Sequence, residues 1–348
     1  MSRIKKLLRE NIKSFKPYTS ARSEHAMDKN SQQIFLDANE NAFGSMSAEM
    51  LNRYPDPLQK KLKEKLAETK NTKPAQIFIG NGSDEPIDLL YRAFCNPGID
   101  NVVAISPSYG MYEVGARLND VEFRTALLNE NFTLSLSNII EKQDDKTKLT
   151  FVCHPNNPSG NCFERAEIEA LIEKTAGIVI VDEAYIDFNE RKSVLNLIKK
   201  YENLVVLQTF SKAWGMAGLR LGMAFANEET IGILTAIKPP YNVGALQQKE
   251  AIKALEKSTQ KAEIVENILA QKKELIEALK KNTNVVSVFP SDANFLLVKF
   301  KDAKQAYDML HKKDILVRDR SMEPLCENCL RITVGTKAEN ERLLNALV

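Results

Sequence analysis

No apolar run in the chain approaches the length needed to cross a bilayer as a helix, which excludes a helical membrane protein. An excess of one charge is also missing. Lysines and arginines number 48 against 46 aspartates and glutamates, and a net charge of +2 gives no basic footprint for nucleic acid. Cysteines are few and odd in number, five in all. The stretch from Met1 to Lys16 mixes basic residues with Ile4, Leu7, Leu8 and Ile12 and lacks the continuous apolar core of a signal peptide. A reduced, cytoplasmic protein is the expectation. Cys326-Glu-Asn-Cys329 has zinc-knuckle spacing, but a closed site needs two more ligands, and only Cys153, His154 and Cys162 offer them. Those residues read better as loop and core positions, so no metal is expected. Internal repeats and low-complexity tracts are absent.

What is present is ordinary globular material. The 348 residues are 43% hydrophobic and 27% charged, enough for a large core and a second smaller one. Runs at Gln76 to Ile79, Asn101 to Ile105, Lys148 to Cys153, Gly177 to Val181 and Leu204 to Leu207 read as buried strands. Helices are expected at Met1 to Lys16, Leu58 to Thr69, Pro86 to Cys95, Glu164 to Thr175 and Glu190 to Lys200, and a short strand at Ile34 to Asp37. Strands alternating with helices predict an α/β fold with a mostly parallel sheet covered on both faces. After Pro239-Pro240 comes one long helical region, 245–281, followed by a smaller α+β arrangement with strands near Val285, Asn294, Ile315 and Leu330. The predicted organisation is an N-terminal arm, 1–33, laid on the small domain or a partner subunit, then a large domain, 34–244, and a small domain, 245–348.

The stretch Thr209-Phe-Ser-Lys-Ala-Trp-Gly-Met-Ala-Gly-Leu-Arg-Leu-Gly222 follows a buried strand and contains one lysine, Lys212. A lysine shielded from water and set beside other cations has a lowered pKa, and its free amine attacks carbonyls. Ser211 and Arg220 add a hydroxyl and a planar guanidinium suited to phosphate. A carbonyl and a phosphate on one molecule describe pyridoxal phosphate. Read alone, Lys212 also fits an exposed loop lysine. Gly80-Asn-Gly82-Ser83-Asp84 opens a helix, either to present N–H groups to a phosphate or to cap the helix through Ser83 or Asp84. Tyr109 follows the Asn101 strand, placed to stack on a flat ring or to fill the core. Asp182, the first acid after an apolar strand, suits a protonated ring nitrogen, and Asn157 and Tyr185 suit a phenolic oxygen.

These residues, in this order, resemble the fold-type I pyridoxal-phosphate aminotransferases, and the whole chain resembles the histidinol-phosphate aminotransferase family. The resemblance implies a large cofactor-binding domain and a smaller α+β domain. It implies that Lys212 is the Schiff-base lysine and proton shuttle. Gly82, Ser83, Asp84, Ser211 and Arg220 would hold the cofactor phosphate, Tyr109 would stack on the ring, Asp182 would pair with its nitrogen, and Asn157 and Tyr185 would reach its phenolic oxygen. It also implies a homodimer, in which Tyr54 of Arg53-Tyr-Pro-Asp-Pro57 reaches the neighbour's cofactor phosphate. Leu330-Arg331-Ile-Thr-Val-Gly335 resembles the motif whose arginine receives the substrate carboxylate. Arg318, Tyr18 and Tyr109-Gly-Met-Tyr112 resemble the features that mark the histidinol-phosphate branch, with Arg318, Arg331 and Tyr18 on the substrate phosphate. The implied reaction is reversible transamination of L-histidinol phosphate and 2-oxoglutarate, in histidine biosynthesis. Arg318 alone also fits a surface salt bridge, with Arg320 the likelier surface residue. Gly244 and the Cys326–Cys329 insert depart from the family pattern. The same scaffold serves aromatic amino-acid aminotransferases and threonine-phosphate decarboxylases. A non-enzymatic ligand-sensing domain is the rival of a different class, disfavoured because no DNA-binding module is read before the sheet domain.

Overall fold

The computed structural model describes residues 2–17 and 34–348, so Tyr18 lies outside the described residues. The first part of the chain runs α1 (Arg3–Leu7), α2 (Glu10–Lys13), α3 (Lys60–Lys70), β1 (Ile77–Asn81), α4 (Asp84–Phe94), β2 (Asn101–Ser106), α5 (Met111–Leu118), β3 (Glu122–Leu127), α6 (Leu136–Glu141) and β4 (Thr147–Cys153). It continues through α7 (Arg165–Lys174), β5 (Ile178–Asp182), β6 (Leu204–Thr209), β7 (Leu221–Phe225) and α8 (Glu228–Ile237). The strands form one sheet in the order β1-β7-β6-β5-β4-β2-β3. All neighbours from β6 to β3 are parallel, whereas β7 runs antiparallel to both β1 and β6.

Successive strand side chains point to opposite faces, and β5 shows the consequence. Val179 and Val181 join the apolar cluster that includes Leu62, Leu66, Leu171 and Ala251. Ile178 and Ile180 join the other, with Leu90, Phe94 and Leu234. Both faces are therefore covered, as the alternation of elements predicts. The second part comprises α9 (Ala245–Leu255), α10 (Ser258–Lys280), β8 (Val285–Val288), β9 (Phe295–Phe300), α11 (Ala303–His311), β10 (Arg318–Asp319), β11 (Cys329–Thr333) and α12 (Lys337–Ala346). Its four strands form an antiparallel sheet, β10-β11-β9-β8, with its own core around Leu279, Leu296, Val298 and Leu330. Among the described residues no helix is long and apolar enough to cross a membrane.

Several sequence expectations are corrected. Residues 34–37 are irregular, and Ile34 and Leu36 are exposed. An apolar tetrapeptide holds strand geometry when a ladder completes its backbone bonds, and neither sheet includes this segment. The N-terminal helix is two short helices. Its Ile4 and Leu8 are buried among the helices covering the large sheet, and the Arg9 N–H donates to the Ala93 carbonyl at 3.1 Å. Within the chain, residues 3–9 thus lie on the layer that covers the large sheet. The long helical region breaks between α9 and α10, and Ala251 and Leu255 of α9 pack in the large core. Glu190 to Lys200 is two 3-10 turns, not an α-helix. The cause is Glu183, whose carboxylate takes the Val194 N–H at 2.6 Å and the Ser193 hydroxyl at 2.9 Å, withdrawing that donor from a helical ladder.

The antiparallel β7 was not foreseen, and it fixes the rim where the strands end. Asn81 and Leu221 are paired across β1 and β7, and Thr209 and Gly222 across β6 and β7. A Cβ at Gly222 would lie 2.3 Å from both the Gly82 carbonyl carbon and the Ser83 nitrogen. Gly222→Ala should therefore cost on the order of 3 kcal/mol, read as a lowered melting temperature; an unchanged melt would contradict this contact.

Burial pushes the Glu183 carboxyl up to about 7, against the downward pull of Val194, Gln208 and Ser193. A carboxyl raised in the folded state binds its proton more tightly there, so its stabilisation is complete below its ordinary value and is lost as pH rises through the folded value. The apoprotein should lose stability from about pH 4.5 to 7, with Glu183 contributing on the order of 3 kcal/mol. In unfolding titrations Glu183→Gln should flatten that slope; an unaltered slope would contradict it.

Candidate active site

The carboxyl ends of the parallel strands meet at one cavity. It is lined by Gly82, Ser83 and Asp84 after β1, Tyr109 after β2, Cys153 and Asn157 from β4 and its loop, Asp182 and Tyr185 from β5, and Thr209, Ser211, Lys212 and Arg220 between β6 and β7. The parallel register sets this arrangement: Cys153 lies opposite Asp182, and Asp182 opposite Leu207. Every residue that the sequence assigns to the cofactor is on this cavity except Tyr54.

Asp182 lies at the cavity floor and is 3% exposed. One carboxylate oxygen accepts the Tyr112 hydroxyl at 2.8 Å and the other the Ala184 N–H at 3.1 Å. Burial pushes this carboxyl up to about 6, while the Tyr112 and Ala184 bonds oppose the rise. Lys212 is held below the ordinary lysine range, chiefly by burial and next by Arg331, with Asp182 and Cys153 acting in the other direction. Its Nζ stands 5.2 Å from the centre of the Tyr185 ring. Lowering the pKa of an amine in this way increases its share of the free base, the form that acts as nucleophile and base.

The opposite end of the cavity combines a bare backbone turn, a guanidinium and a hydroxyl. Gly82 has φ +71, and a Cβ on it would lie 2.8 Å from Arg220 Nη2, so the bare backbone leaves a cradle beneath the guanidinium. Ser83 occupies the N-cap position of α4 but makes no side-chain cap bond, and its side chain is not used as the cap reading required. The Asp84 carboxylate accepts from the Tyr109 hydroxyl at 3.2 Å and stands 3.9 Å from Arg220 Nη2. Thr209 Oγ1 donates to Ser211 Oγ at 3.0 Å and accepts the Ser211 N–H at 3.1 Å, which fixes that hydroxyl. These donors, the buried carboxylate and the Tyr109 ring match the phosphate, ring nitrogen and ring face of pyridoxal phosphate.

A second group arrives from the smaller sheet. Arg318 and Arg331 are opposite one another across β10 and β11, so their side chains share one face. Arg331 Nη1 donates to Asn157 Oδ1 at 2.5 Å and its guanidinium lies 5.4 Å from the Phe295 ring centre. Neither arginine has a carboxylate within ion-pair distance among the described residues. The reading of Arg320 is corrected: Arg318 is exposed, whereas the Arg320 side chain is 13% exposed, pairs with Glu323, and reaches Asn157 Oδ1 at 3.4 Å. Tyr112 is the other residue whose place the sequence left without a role; it stands one helical turn from Tyr109.

Tyr54 lies outside the cavity. It is about half exposed and stacks on Tyr241, with ring centres 4.4 Å apart. Glu40 fixes this segment, accepting the Arg53 guanidinium at 2.8 Å and the Tyr54 N–H at 2.5 Å. Cys326 and Cys329 are buried free thiols, pushed up by burial to about 12 and about 11. Among the described residues, no three metal-ligating side chains converge.

Comparison with known proteins agrees with this geometry. Residues 17–347 match the model of the family described as aminotransferase class I and II. A histidinol-phosphate aminotransferase from Cytophaga hutchinsonii is 50% identical over 341 residues, covering 98% of this chain and 97% of that protein. Among solved structures, the histidinol-phosphate aminotransferase of Clostridium acetobutylicum superposes with TM-score 0.79 at 27% identity, over 85% of this chain and 90% of that one. The L-threonine-O-3-phosphate decarboxylase of Porphyromonas gingivalis superposes with TM-score 0.72, also at 27% identity, over 85% and 92%. A shared family model over nearly the whole length, relatives at half identity and a lysine-centred cavity at the strand ends lead to one conclusion: the chain belongs to the class I and II aminotransferases.

Proposed function

We propose that the chain is a pyridoxal-phosphate-dependent histidinol-phosphate aminotransferase, exchanging an amino group between L-glutamate and imidazole-acetol phosphate to give L-histidinol phosphate and 2-oxoglutarate. The observation that carries the reading is the arginine pair: Arg331, bonded to a residue of the Lys212 cavity, with Arg318 beside it, neither paired with a carboxylate among the described residues. Two such guanidiniums suit a doubly charged phosphate, and one of them suits a carboxylate. The half-identical relatives carry the same assignment.

Pyridoxal phosphate, when bound, supplies an electrophilic carbon and an electron sink. Backbone N–H groups at the start of α4, with Ser211 and Arg220, would hold its phosphate. Asp182 would hold a proton at the ring nitrogen, Tyr109 would stack on the ring, and Tyr185 and Asn157 would orient its phenolic oxygen. Lys212 Nζ, whose pKa is lowered by burial and by Arg331, would take the proton from the substrate Cα and return one. Arg331 and Arg318 orient the substrate anion, so that this Cα faces Lys212.

Two further parts belong to the same reading. The chain would act as a cytoplasmic homodimer, with the small domain, 245–348, closing on the large one. Phe43, Met46 and Met50, close in sequence to Tyr54, are largely exposed in a single chain, an apolar surface that a second copy would cover while Tyr54 reaches the neighbouring phosphate.

Lys212→Ala should abolish transamination, and retained turnover would contradict its role. Arg318→Ala should cut kcat/KM for histidinol phosphate at least about 100-fold more than for phenylalanine; equal losses would favour an aromatic aminotransferase. Threonine phosphate should be neither transaminated at a comparable rate nor decarboxylated, and release of carbon dioxide from it would favour the decarboxylase. Coexpressed Lys212→Ala and Tyr54→Ala chains should recover about a quarter of wild-type activity if sites are shared across a dimer; no recovery above the single variants would rule that sharing out.

A further inference from the structure

Tyr112 is wholly buried, yet its hydroxyl is directed at Asp182 Oδ2, 2.8 Å away. Its ring is held from several sides. Phe151 stacks on it with centres 4.7 Å apart and planes 15° apart, and Tyr109 meets it edge to face at 5.5 Å. The Tyr91 hydroxyl donates to the Tyr112 carbonyl at 2.7 Å. A core position asks only for an aromatic ring here, and phenylalanine would fill it. The hydroxyl is what the packing does not explain.

The groups around the Asp182 carboxylate are few. Ala184 donates its N–H to Oδ1, Tyr112 donates to Oδ2, and Lys212, Cys153, Asp84, Tyr109 and Tyr185 are the titratable neighbours. Among the described residues, Tyr112 is the only side chain that hydrogen-bonds this carboxylate. A hydrogen bond donated to a buried carboxylate favours its ionised form. On the proposed reading, Asp182 shares a proton with the pyridine nitrogen, and where that proton sits depends on the difference in basicity between the two.

We propose that Tyr112 is a positioning residue that keeps Asp182 ionised, so that the shared proton stays on the pyridine nitrogen. The tyrosine acts through Asp182 and touches neither substrate nor the reacting carbon. By sitting edge-on to Tyr109, it also ties the ring-stacking residue to the residue that sets the ring's protonation. This inference rests on the pyridoxal-phosphate reading of the cavity.

The test is Tyr112→Phe, which keeps the ring and removes the hydroxyl, studied as the cofactor-loaded protein with pyridoxal phosphate labelled with nitrogen-15 at the ring. A hydrogen bond to a charged group is worth enough to move the proton's equilibrium position about 10-fold or more toward the carboxylate. The nitrogen-15 resonance should therefore shift toward that of an unprotonated pyridine, and kcat should fall with little change in KM. Asp182→Asn serves as the control. If Asp182→Asn moves the resonance and Tyr112→Phe does not, Tyr112 merely fills space and the proposal is overturned. If Asp182→Asn also leaves the resonance unmoved, Asp182 is not the partner of the ring nitrogen, and the cofactor reading fails first. Should Tyr112→Phe fold poorly, the same resonance in Phe151→Leu, which loosens the Tyr112 ring without removing the hydroxyl, should shift part of the way; no shift there would count against the proposal.

Discussion

The site depends on one close approach: the backbone of Gly222 pressed against the turn at Gly82 and Ser83, where no side chain fits. That approach exists because β7 runs antiparallel between β1 and β6 and so draws the ends of both to one rim. The turn after β1 carries the anion cradle, and the connection from β6 to β7 carries Ser211, Lys212 and Arg220. Without that strand, the lysine and the cradle would have no common wall. Arg220 itself sits at φ +55, a conformation that a non-glycine residue adopts at a cost and that the surrounding hairpin holds.

Charge in the cavity is arranged against burial. Asp182 and Glu183 are adjacent buried carboxyls, both raised by burial, yet they face different partners. Glu183 is surrounded by Val194, Ser193 and Gln208 and shapes the chain behind the sheet. Asp182 faces the cavity with fewer partners, which leaves it available to a cation. Burial lowers both Lys212 and Arg331; Arg331 adds to the effect on Lys212, Arg320 and Arg318 add to that on Arg331, and Arg331 rests on a neutral amide oxygen rather than a carboxylate. Titratable groups shifted from their ordinary range together on one cavity favour a functional site.

The sheet and most of the site were legible in sequence for the same reason. Buried parallel strands read as continuous apolar runs, and the crevice at their carboxyl ends is where such sheets bind ligands. That logic located Asp182, Lys212, Tyr109 and the Gly82 turn. It failed where tertiary contacts decide. β7 begins directly after the Arg220 loop, and its Leu221-Gly-Met-Ala-Phe225 run was absorbed into that loop. The expected helix after Asn189 is broken by the Glu183 carboxylate, which takes the N–H of Val194. Arg320 was read as a surface residue because no local pattern reveals Glu323 folding back on it. The role of Tyr112 shows only when α5 is laid against β5, far away in sequence.

On the proposed reading, Lys212 is the amine that meets the cofactor aldehyde. Loading the protein with pyridoxal phosphate, reducing it with borohydride and mapping the labelled peptides tests this directly. The pyridoxyl label should fall on Lys212, in the peptide between Phe210 and Arg220, in close to one equivalent per chain. A label spread over surface lysines, or none on Lys212, would contradict the account.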